Sequence, residues 1–507
     1  MSELTVIVLA AGGGTRMKSK TPKVLHTIAG RSMVGHVLTA VRDAGASHVV
    51  AVVGHQRELV GPHIEQLMPE ATIAVQEEQL GTAHAVRVAV ETAALGDPAG
   101  DGRSTVLVAY GDTPLLRGES LRALVADHEA AGRALTILSG IVPTPFGYGR
   151  IVREQDGSVA AIVEEKDASD EQRAITEINS GILAFDARFL AAVLPKIGND
   201  NAKGEYYLTD AVALARAEGM PVGAYVLDDV RQTEGANDRA QLAALGKELN
   251  ARIVTRWMTE GVTVMDPATT WIEADVELEP DVTILPGVQL LGATKVEEDA
   301  VIGPDSTLKD CEVGAGARVV RTHAELAVIG AGANVGPFSY LRPGARLGDR
   351  GKIGAFVEVK NSEIGEGAKV PHLSYVGDAT IGEGTNIGAG TIFANYDGVA
   401  KHHTTIGRHV KSGSNVTFVA PVTVGDGAGT GAGTLVRQDV PPGGLALSAG
   451  PQRVIEGWAQ AKRAGTAQGE AAAAAASGKG AGTADEREAT HTGDPGVGDP
   501  GAGATQS

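Results

Sequence analysis

The sequence predicts an N-terminal α/β domain, a long linker helix and a C-terminal parallel β-helix. Three observations support this prediction. Residues 1–239 alternate short aliphatic runs with helical stretches, residues 240–260 continue one helical pattern, and residues 261–464 repeat an aliphatic side chain every six positions. Residues 465–507 are rich in alanine, glycine and acidic side chains with almost no large apolar ones, so a disordered tail is predicted there.

The first region has the pattern of a mostly parallel sheet covered by helices. The predicted strands are Leu4–Ala11, Val49–Gly54, Thr105–Tyr110 and Leu135–Gly140, and the predicted helices are Ser32–Ala44, Thr82–Ala94 and Ser120–Ala131. Strands that alternate with helices favour parallel pairing, and such sheets bind ligands at the carboxyl ends of their strands. In the linker, five apolar residues recur at steps of three and four, which predicts one rigid helix: Leu242, Leu245, Leu249, Ile253 and Trp257.

The third region repeats with a period of six. The series runs Val335, Leu341, Leu347, Ile353, Val359, then, after a one-residue slip, Ile364, Val370, Val376, and later Ile406, Ser412, Phe418, Val424, Thr430, Val436. Each hexad supplies a short strand and a turn, so three hexads make one coil, and coils stack ~4.8 Å apart. The interruption Phe393–Thr405 predicts a projecting loop, which is a candidate for function.

Composition limits the classes of partner. The formal charge is −18, which disfavours nucleic acid and anionic membranes as bulk partners. Cys311 is the single cysteine, so no intrachain disulfide can form, and we expect it to be structural. The N-terminus lacks a signal-peptide pattern, and no apolar run approaches the ~20 residues that span a bilayer. We therefore expect a soluble, cytoplasmic protein.

The first predicted strand leads into LAAGGGTRMKSKTPKVL, residues 9–25. Glycines 12 to 14 allow backbone amides to approach phosphate oxygens, and Arg16 and Lys23 add positive charge. The segment is neither a P-loop nor the GxGxxG fingerprint. Asp112 follows a strand, where a metal ligand is expected. The full string resembles the sugar-phosphate nucleotidylyltransferases, which implies a Rossmann-like nucleotide-binding domain.

This resemblance assigns the first site. It implies in-line attack of a sugar 1-phosphate on the α-phosphorus of UTP, with Lys23 and Arg16 as catalytic cations. It implies Mg²⁺ bound by Asp112 and Asn237, with the choice between Mg²⁺ and Mn²⁺ open. The implied contacts to UTP and the nucleotide sugar are Leu9, Ala10, Ala11, Gly12, Lys23, Gln76, Gly81, Thr82, Tyr110, Gly111, Asp112, Gly149, Glu164, Asn179 and Asn237.

Four motifs in the hexad region carry a second resemblance: LRPG, FVEVKN, KVPHLSYVGD and the loop segment FANYDG. With the N-terminal motifs, they make the chain similar to the family of bifunctional bacterial UDP-N-acetylglucosamine pyrophosphorylases and glucosamine-1-phosphate N-acetyltransferases. Membership would imply a left-handed β-helix, a homotrimer, and a role in supplying cell-wall precursors.

The family resemblance also assigns the acetyl-transfer site. His372 is the implied catalytic base, because an amine must lose a proton to attack a thioester, and Glu358 is a candidate to orient it. The implied contacts to glucosamine 1-phosphate are Arg342, Lys360, Tyr375 and Asn386. The implied contacts to acetyl-CoA are Ala389, Asn395, Tyr396, Ser414, Ala432 and Ala449. The family often has arginine at the position of Ala449, and Arg453 lies four residues on.

Two alternatives stay open at this stage. The first is a nucleotidylyltransferase whose β-helix only oligomerises or senses an effector, which would not need His372, Arg342 and Lys360. The second is a non-catalytic assembly protein, which would not need Lys23 and Asp112. His402 and His403 have no counterpart in the family motif, so we expect them to lie on the loop surface.

Overall fold

The computed structural model describes residues 3–95, 104–201, 204–448, 450 and 452–478. The chain forms two compact units, Met1–Leu447 and Ser448–Ser507. The first unit contains the N-terminal domain, the linker helix and the β-helix, and the second is described by itself below.

The N-terminal domain is built on a nine-stranded sheet with the order β11-β7-β10-β6-β1-β4-β5, extended by β8 and β9 beside β10. Its strands are β1 Leu4–Leu9, β2 Thr27–Ile28, β3 Arg31–Ser32, β4 His48–Val53, β5 Thr72–Val75, β6 Thr105–Tyr110, β7 Leu135–Ile141, β8 Arg150–Arg153, β9 Val159–Val163, β10 Glu177–Asp186 and β11 Val222–Leu227, of which β2 and β3 form a separate hairpin. Its helices are α1 Met33–Asp43, α2 Arg57–Leu67, α3 Thr82–Thr92, α4 Gly118–Ala130, α5 Asp170–Arg173, α6 Ala187–Val193 and α7 Ala211–Ala217.

The central strands are parallel, as predicted, and β10 is the exception. Strands β4, β1 and β6 run parallel, whereas β10 is antiparallel to both β6 and β7. Helices cover both faces of the sheet. Ile7 of β1 packs in a cluster with α3, while its neighbours Val6 and Val8 pack in the cluster that contains α1. Because β4, β1 and β6 run parallel, their carboxyl ends lie at one edge of the sheet.

The linker is a single helix, α8, Arg239–Thr259, and the Asp238 side chain accepts a hydrogen bond from Gln241 N at its start. Its N-terminal half packs against the N-terminal domain through Leu245. Its C-terminal half inserts Ile253, Val254 and Trp257 into the core of the β-helix. The helix therefore belongs to the cores of both domains.

The C-terminal domain is a parallel β-helix with three faces. The first face contains Thr263–Val264, Thr283–Ile284, Val301–Ile302, Arg318–Val319, Asn334–Val335, Lys352–Ala355 and Lys369–His372, and continues through Asn386 to Lys411–Ser412, Gly429–Thr430 and Leu445–Ala446. The second face contains Trp271–Ile272, Gln289–Leu291, Thr307–Lys309, Thr322–Glu325, Ser339–Leu341, Glu358–Lys360, Tyr375–Gly377, Ile392–Ala394, Thr417–Val419 and Leu435–Val436. The third face contains Glu277–Leu278, Lys295–Val296, Glu312–Val313, Val328–Ile329, Ala345–Leu347, Ser362–Ile364, Ala379–Ile381, Thr404–Ile406 and Val422–Val424.

Every residue of the predicted six-residue series is buried in the prism. Val335, Leu341 and Leu347 lie on the first, second and third face in turn, each at most 2% exposed. The predicted interruption at Phe393–Thr405 is too long at both ends. Phe393 is a fully buried core residue whose ring lies 5.1 Å from that of Phe418, and Thr404 begins the next strand. The projecting loop is therefore residues 395–403.

The second unit contains α9, Trp458–Lys462, and α10, Ala467–Ala476. Helix α10 corrects the prediction of disorder from residue 465 onwards, because a run of alanines has the highest intrinsic helix propensity even where it has no apolar face to bury. The remainder of the predicted disordered tail, residues 479–507, lies outside the described residues. No helix in the described part of the chain is long and apolar enough to cross a membrane.

Candidate active sites

The glycine-rich loop after β1 is shaped by the approach of Lys23. Gly14 has φ +56°, and a Cβ atom there would lie 2.5 Å from the Cβ of Lys23. Only glycine combines this backbone conformation with so close an approach. The short helix Lys23–Leu25 is therefore packed directly on the loop, and its lysine points toward the carboxyl ends of β1 and β6.

Two cations and two oxygen ligands meet at this edge of the sheet. The Lys23 ammonium forms an ion pair with Asp112 and donates to Asn237 Oδ1 at 3.0 Å. Arg16 donates to the same Asn237 oxygen at 2.9 Å. The predicted metal ligands, Asp112 and Asn237, thus face one cation, the Lys23 ammonium, although they are far apart in the chain. Both are oxygen donors of the kind Mg²⁺ prefers, so the pair fits a shared divalent ion.

A cavity of about 290 Å³ opens beside these groups. It is lined by Leu9, Ala10, Ala11, Gly12, Lys23, Val24, Gln76, Gln79, Gly81, Thr82, Ala85, Tyr110, Asp112 and Glu205. The Gln76 amide is held by hydrogen bonds to Gly81 O at 3.2 Å and to the His84 ring at 3.0 Å, and Gln79 donates to Ala11 O at 2.6 Å. The side chains of both glutamines are therefore fixed at the wall of the cavity.

A second cavity, of about 490 Å³, adjoins the first at Tyr110 and Asp112, and Arg16 and Asn237 also line it. Gly149, Glu164 and Asn179, which the resemblance assigns to the sugar, lie close to one another, and their chain neighbours Tyr148 and Ser180 line this cavity. Asn179 N donates to Gly149 O at 2.8 Å, and a Cβ at Gly149 would lie 3.3 Å from a Glu164 carboxylate oxygen. Burial, followed by the charges of Asp112 and Glu164, raises the pKa of Tyr110 to about 12. Its hydroxyl therefore stays protonated and can donate a hydrogen bond at neutral pH.

Gly81→Ala should damage the first cavity. Gly81 has φ +114°, and a Cβ there would lie 2.5 Å from the backbone oxygen of Tyr206. We expect a loss of about 1–3 kcal/mol in stability, because the loop that carries Gln76 would shift. Thermal unfolding measures this loss. Gly61→Ala is the matched control: its Cβ would meet no atom within 4 Å, and alanine favours the helix interior by about 1 kcal/mol.

On the β-helix, three lysine and arginine side chains gather over the second face. Arg342 pairs with Glu358 at 2.9 Å, and Lys360 Nζ lies 3.9 Å from Asp378. The pKa of Lys360 is lowered by contact with the Lys401 side chain and then by burial, although Asp378 opposes this. Lys401 comes from the projecting loop, which thereby adds a cation to the cluster.

Tyr375 and Asn395 are bound to the same cluster. The Asn395 amide donates to Asp378 and to the Tyr375 hydroxyl, the latter at 3.4 Å. Burial alone would raise the pKa of Asp378, but hydrogen bonds from Asn361 and Asn395 and the nearby lysine charges lower it below its usual range. Asp378 therefore remains ionised and holds the base of the loop on the second face.

His372 stands at the head of a column of equivalent turn positions. Gly390 N donates to His372 O at 3.2 Å, Asn415 N to Ala389 O at 2.7 Å, and Gly433 N to Ser414 O at 2.8 Å. His372, Ala389, Ser414 and Ala432 therefore occupy the same corner in successive coils, ~4.8 Å apart. The His372 side chain is exposed at this corner. This column contains four of the residues assigned by resemblance.

The other residues predicted for this site have separate positions. Asn386 bridges Lys369 and Lys411 on the first face, one coil beyond His372, and Tyr396 is exposed in the projecting loop. Glu358 is engaged by Arg342. Ala449 lies outside the described residues.

The histidines of the loop have structural partners of their own. His402 contacts Asp397 at 2.7 Å, and His403 contacts Thr380 at 3.0 Å. Cys311 is fully buried, and burial raises the pKa of its thiol. The two histidines therefore hold the projecting loop in place, and Cys311 packs in the core of the β-helix.

Comparison with known proteins agrees with both halves of the chain. Residues 6–169 match the model of the MobA-like NTP transferase domain. The bifunctional protein GlmU of Rhodococcus opacus (strain B4) is 58% identical over 479 residues, 93% of this chain and 95% of the relative. The bifunctional protein GlmU of Streptomyces avermitilis is 56% identical over 92% of this chain and 96% of the relative. That of Corynebacterium efficiens is 54% identical over 93% of this chain and 97% of the relative. The chain belongs to the GlmU family.

Family membership confirms the predicted activities. The chain is a bifunctional transferase of cell-wall precursor synthesis, with glucosamine-1-phosphate acetyltransferase and N-acetylglucosamine-1-phosphate uridylyltransferase activities. The alternatives of a single activity and of a non-catalytic assembly protein are therefore wrong.

Sequence reasoning missed several groups that the GlmU fold brings to these sites. Gln79 and Glu205 line the nucleotide cavity, and Asp378 and Lys401 join the cation cluster. Gln79 could have been found, since it lies between the predicted Gln76 and Gly81. Lys401 carried no signal, because nothing in the sequence shows which way a loop folds back. Among the described residues, no group of three or more His, Cys, Asp or Glu side chains is arranged to hold a metal.

Proposed function

We propose that the edge of the N-terminal sheet performs uridylyl transfer and that the corner of the β-helix at His372 performs acetyl transfer. The convergence of Arg16, Lys23, Asp112 and Asn237 is the observation that supports this most strongly. Two cations and two oxygen ligands at the mouth of a cavity of nucleotide size are what phosphoryl chemistry requires.

In the uridylyl reaction, the cavity that contains Gln76 and Gly81 binds UTP and the adjoining cavity binds N-acetylglucosamine 1-phosphate. Asp112 and Asn237 would hold Mg²⁺, which when bound neutralises phosphate charge. Lys23 and Arg16 lie at the boundary of the two cavities. They can therefore stabilise the negative charge that develops as a sugar phosphate oxygen attacks the α-phosphorus and pyrophosphate leaves.

Sugar recognition in the second cavity uses neutral and acidic groups. Glu164 and the Asn179 amide can bind hydroxyl and acetamide groups, and the protonated Tyr110 can donate to a further oxygen. A glucosamine 1-phosphate that still carries its free amine would lack the acetamide. We therefore expect the acetyl transfer to come first.

In the acetyl reaction, Arg342 and Lys360 bind the phosphate of glucosamine 1-phosphate, beside Tyr375 and Lys401. The His372 imidazole accepts a proton from the sugar amine as the amine attacks the thioester. Acetyl-CoA lies along the corner column, next to Ala389, Ser414 and Ala432, and beside Asn395 and Tyr396 of the loop. The acetyl group moves to the sugar nitrogen, and coenzyme A leaves as the thiol.

A homotrimer is supported by an apolar ladder next to His372. Phe338, Phe356 and Leu373 are 54%, 59% and 61% exposed and lie at one corner of successive coils, with positive φ angles of 60°, 57° and 50°. The two phenylalanine rings stack at 5.4 Å. Large apolar side chains that are exposed and adjacent to one another indicate a surface that is covered in the assembly. Two further copies of the chain are the proposed partners.

Phe356→Asp tests this assembly. Aspartate tolerates a positive φ better than phenylalanine, so the fold should persist while charge replaces the apolar contact. We expect the trimer to dissociate at micromolar concentration and acetyl transfer to fall, with uridylyl transfer retained. Sedimentation equilibrium measures the assembly. A trimer of unchanged affinity in the variant would contradict the proposed interface.

The direct test of the whole proposal is an assay of the purified protein. Acetyl-CoA with glucosamine 1-phosphate should release free thiol, and UTP with N-acetylglucosamine 1-phosphate and Mg²⁺ should release pyrophosphate. Failure of either release in folded protein would refute the corresponding site. The use of UTP and acetyl-CoA, with the buried lone cysteine, supports a cytoplasmic location.

A further inference from the structure

The two proposed metal ligands are carried by separate segments that both rest on linker helix α8. Asp112 lies three residues before Leu115, and Asn237 directly follows Ala236. Leu115 and Ala236 are 2% and 0% exposed, and both pack in one small cluster with Leu245 of α8. The backbone N–H of Asn237 also donates to Gln241 Oε1, in the first turn of α8, at 2.7 Å.

Arg252 of α8 adds hydrogen bonds that attach the same two ligand segments to the helix. Its guanidinium donates to Leu115 O at 3.2 Å, to Asp229 at 2.8 Å and to Glu248 at 2.8 Å. These acceptors come from three segments: the loop after β6, the segment before Asn237, and α8 itself. Arg252 is also the most buried charged member of the network, with 15% of its side chain exposed, compared with 29% for Asp229 and 22% for Glu248. The planar guanidinium fixes the directions of all three bonds.

Asp229 extends the network to further segments. It also lies near Arg117, at 3.8 Å, and Arg231, at 3.5 Å. The backbone N–H of Arg117 donates a hydrogen bond to the side-chain Oε1 of the buried Gln232 at 3.2 Å. The segment that leads to Asn237 is thereby bound both to α8 and to the start of α4, which follows the Asp112 loop.

The opposite side of α8 is held by the β-helix. Asn250 is 5% exposed, donates to Thr270 O at 2.9 Å and accepts from Ile272 N at 2.9 Å. Residues two apart on a helix point about 200° apart, so Asn250 and Arg252 project on opposite sides. The first coil of the β-helix thus holds the helix whose other side supports both ligand segments.

We propose that Arg252 is a positioning residue for the divalent-ion site of uridylyl transfer, acting through the Asp112 loop and the Asn237 segment. This inference rests on the proposed assignment of Asp112 and Asn237 as metal ligands. Without Arg252, Leu115 O and Asp229 lose a shared donor, and the separation of the two ligand oxygens is held less tightly, by the Leu115–Ala236–Leu245 cluster and the Gln241 bond alone. Groups that hydrogen-bond directly to metal ligands typically change metal affinity about 10–100-fold. Arg252 acts one step further away, through Leu115 O and Asp229, so we expect an effect at the lower end of this range.

The experiment compares Arg252→Ala, Arg252→Lys and Arg256→Ala in the full chain. Arg256 is the matched control, because it lies one turn further along α8 and contacts Glu260 and the Trp257 ring rather than either ligand segment. Two readouts are needed: the Mg²⁺ concentration for half-maximal pyrophosphate release, and Mn²⁺ binding measured by electron paramagnetic resonance without substrates. Thiol release from acetyl-CoA reports whether the chain is folded.

For Arg252→Ala we expect about a tenfold increase in both the half-maximal Mg²⁺ and the Mn²⁺ dissociation constant. Thiol release should stay within twofold of the unsubstituted chain. Arg252→Lys keeps the charge but not the three bond directions, so an intermediate increase is expected, and Arg256→Ala should match the unsubstituted chain. An unchanged metal dependence in Arg252→Ala, or an equal change in Arg256→Ala, would overturn the inference. If Arg252→Ala does not fold, Arg252→Lys decides on the same criteria. Failure of the unsubstituted protein to require a divalent ion would instead refute the proposed function.

Discussion

Lys23→Ala should lower pyrophosphate release by about 10²–10³-fold and leave thiol release unchanged. The Lys23 ammonium contacts both Asp112 and Asn237 and reaches the boundary between the two cavities. Its removal takes away a charge that we expect to stabilise the departing phosphates. It also leaves two oxygen ligands without the cation that they now share.

The measurement is a coupled assay of pyrophosphate beside the thiol assay on the same preparation. Lys20→Ala is the matched control, because Lys20 lies in the same loop with an exposed side chain. The two-site arrangement would be wrong if Lys23→Ala silenced thiol release in folded protein. An equal loss of pyrophosphate release in Lys20→Ala would contradict the specific role assigned to Lys23.

His372→Ala should produce the converse pattern, with thiol release reduced by about 10²–10⁴-fold. The imidazole is exposed at the head of the corner column, so its loss removes a proton acceptor without opening a core cavity. Its backbone oxygen still accepts from Gly390 N and from the Ser374 hydroxyl. The coil should therefore keep its shape, and uridylyl transfer should be preserved.

His403→Ala serves as the control here, since His403 lies at the end of the projecting loop and contacts Thr380. A steady-state comparison of kcat for thiol release separates the two histidines. Retention of more than a tenth of the acetyl-transfer rate in His372→Ala would assign the base to another group. Loss of pyrophosphate release in the same variant would instead indicate that the two sites are not separate.

The sequence alone predicted the β-helix well, because one buried aliphatic residue per hexad is a local rule that every coil obeys. Val335, Leu341 and Leu347 follow it, and even Ser412 and Thr430 keep the register with a polar side chain. The predicted start of the projecting loop at Phe393 was wrong. The strand Ile392–Ala394 still pairs with the neighbouring coils, although the six-residue spacing of apolar residues is interrupted there. The helix at Ala467–Ala476 has no large apolar side chains, so its composition predicts disorder, although alanine favours a helix without packing.

At the sites, motif residues next to a strand end were predictable and residues brought in from a distance were not. Asp112 follows β6, where a parallel sheet presents its ligands. Lys401, Asp378 and Arg252 act through contacts between segments far apart in the sequence, and their spacing carries no period. The antiparallel strand β10 was unforeseen for the same reason, since its partners β6 and β7 are both distant in the chain.

The corner column has a consequence for how the β-helix can change over time. Because each coil rises by a nearly constant ~4.8 Å, His372 and Ala432 are held roughly 14 Å apart by the backbone ladder rather than by their own side chains. Substitutions on the faces between them can accumulate without altering that length. Gain or loss of one whole coil would displace the far contacts by a full step and leave the near ones in place. If acetyl-CoA binds along this column as proposed, the number of coils sets the length available to its thioester arm.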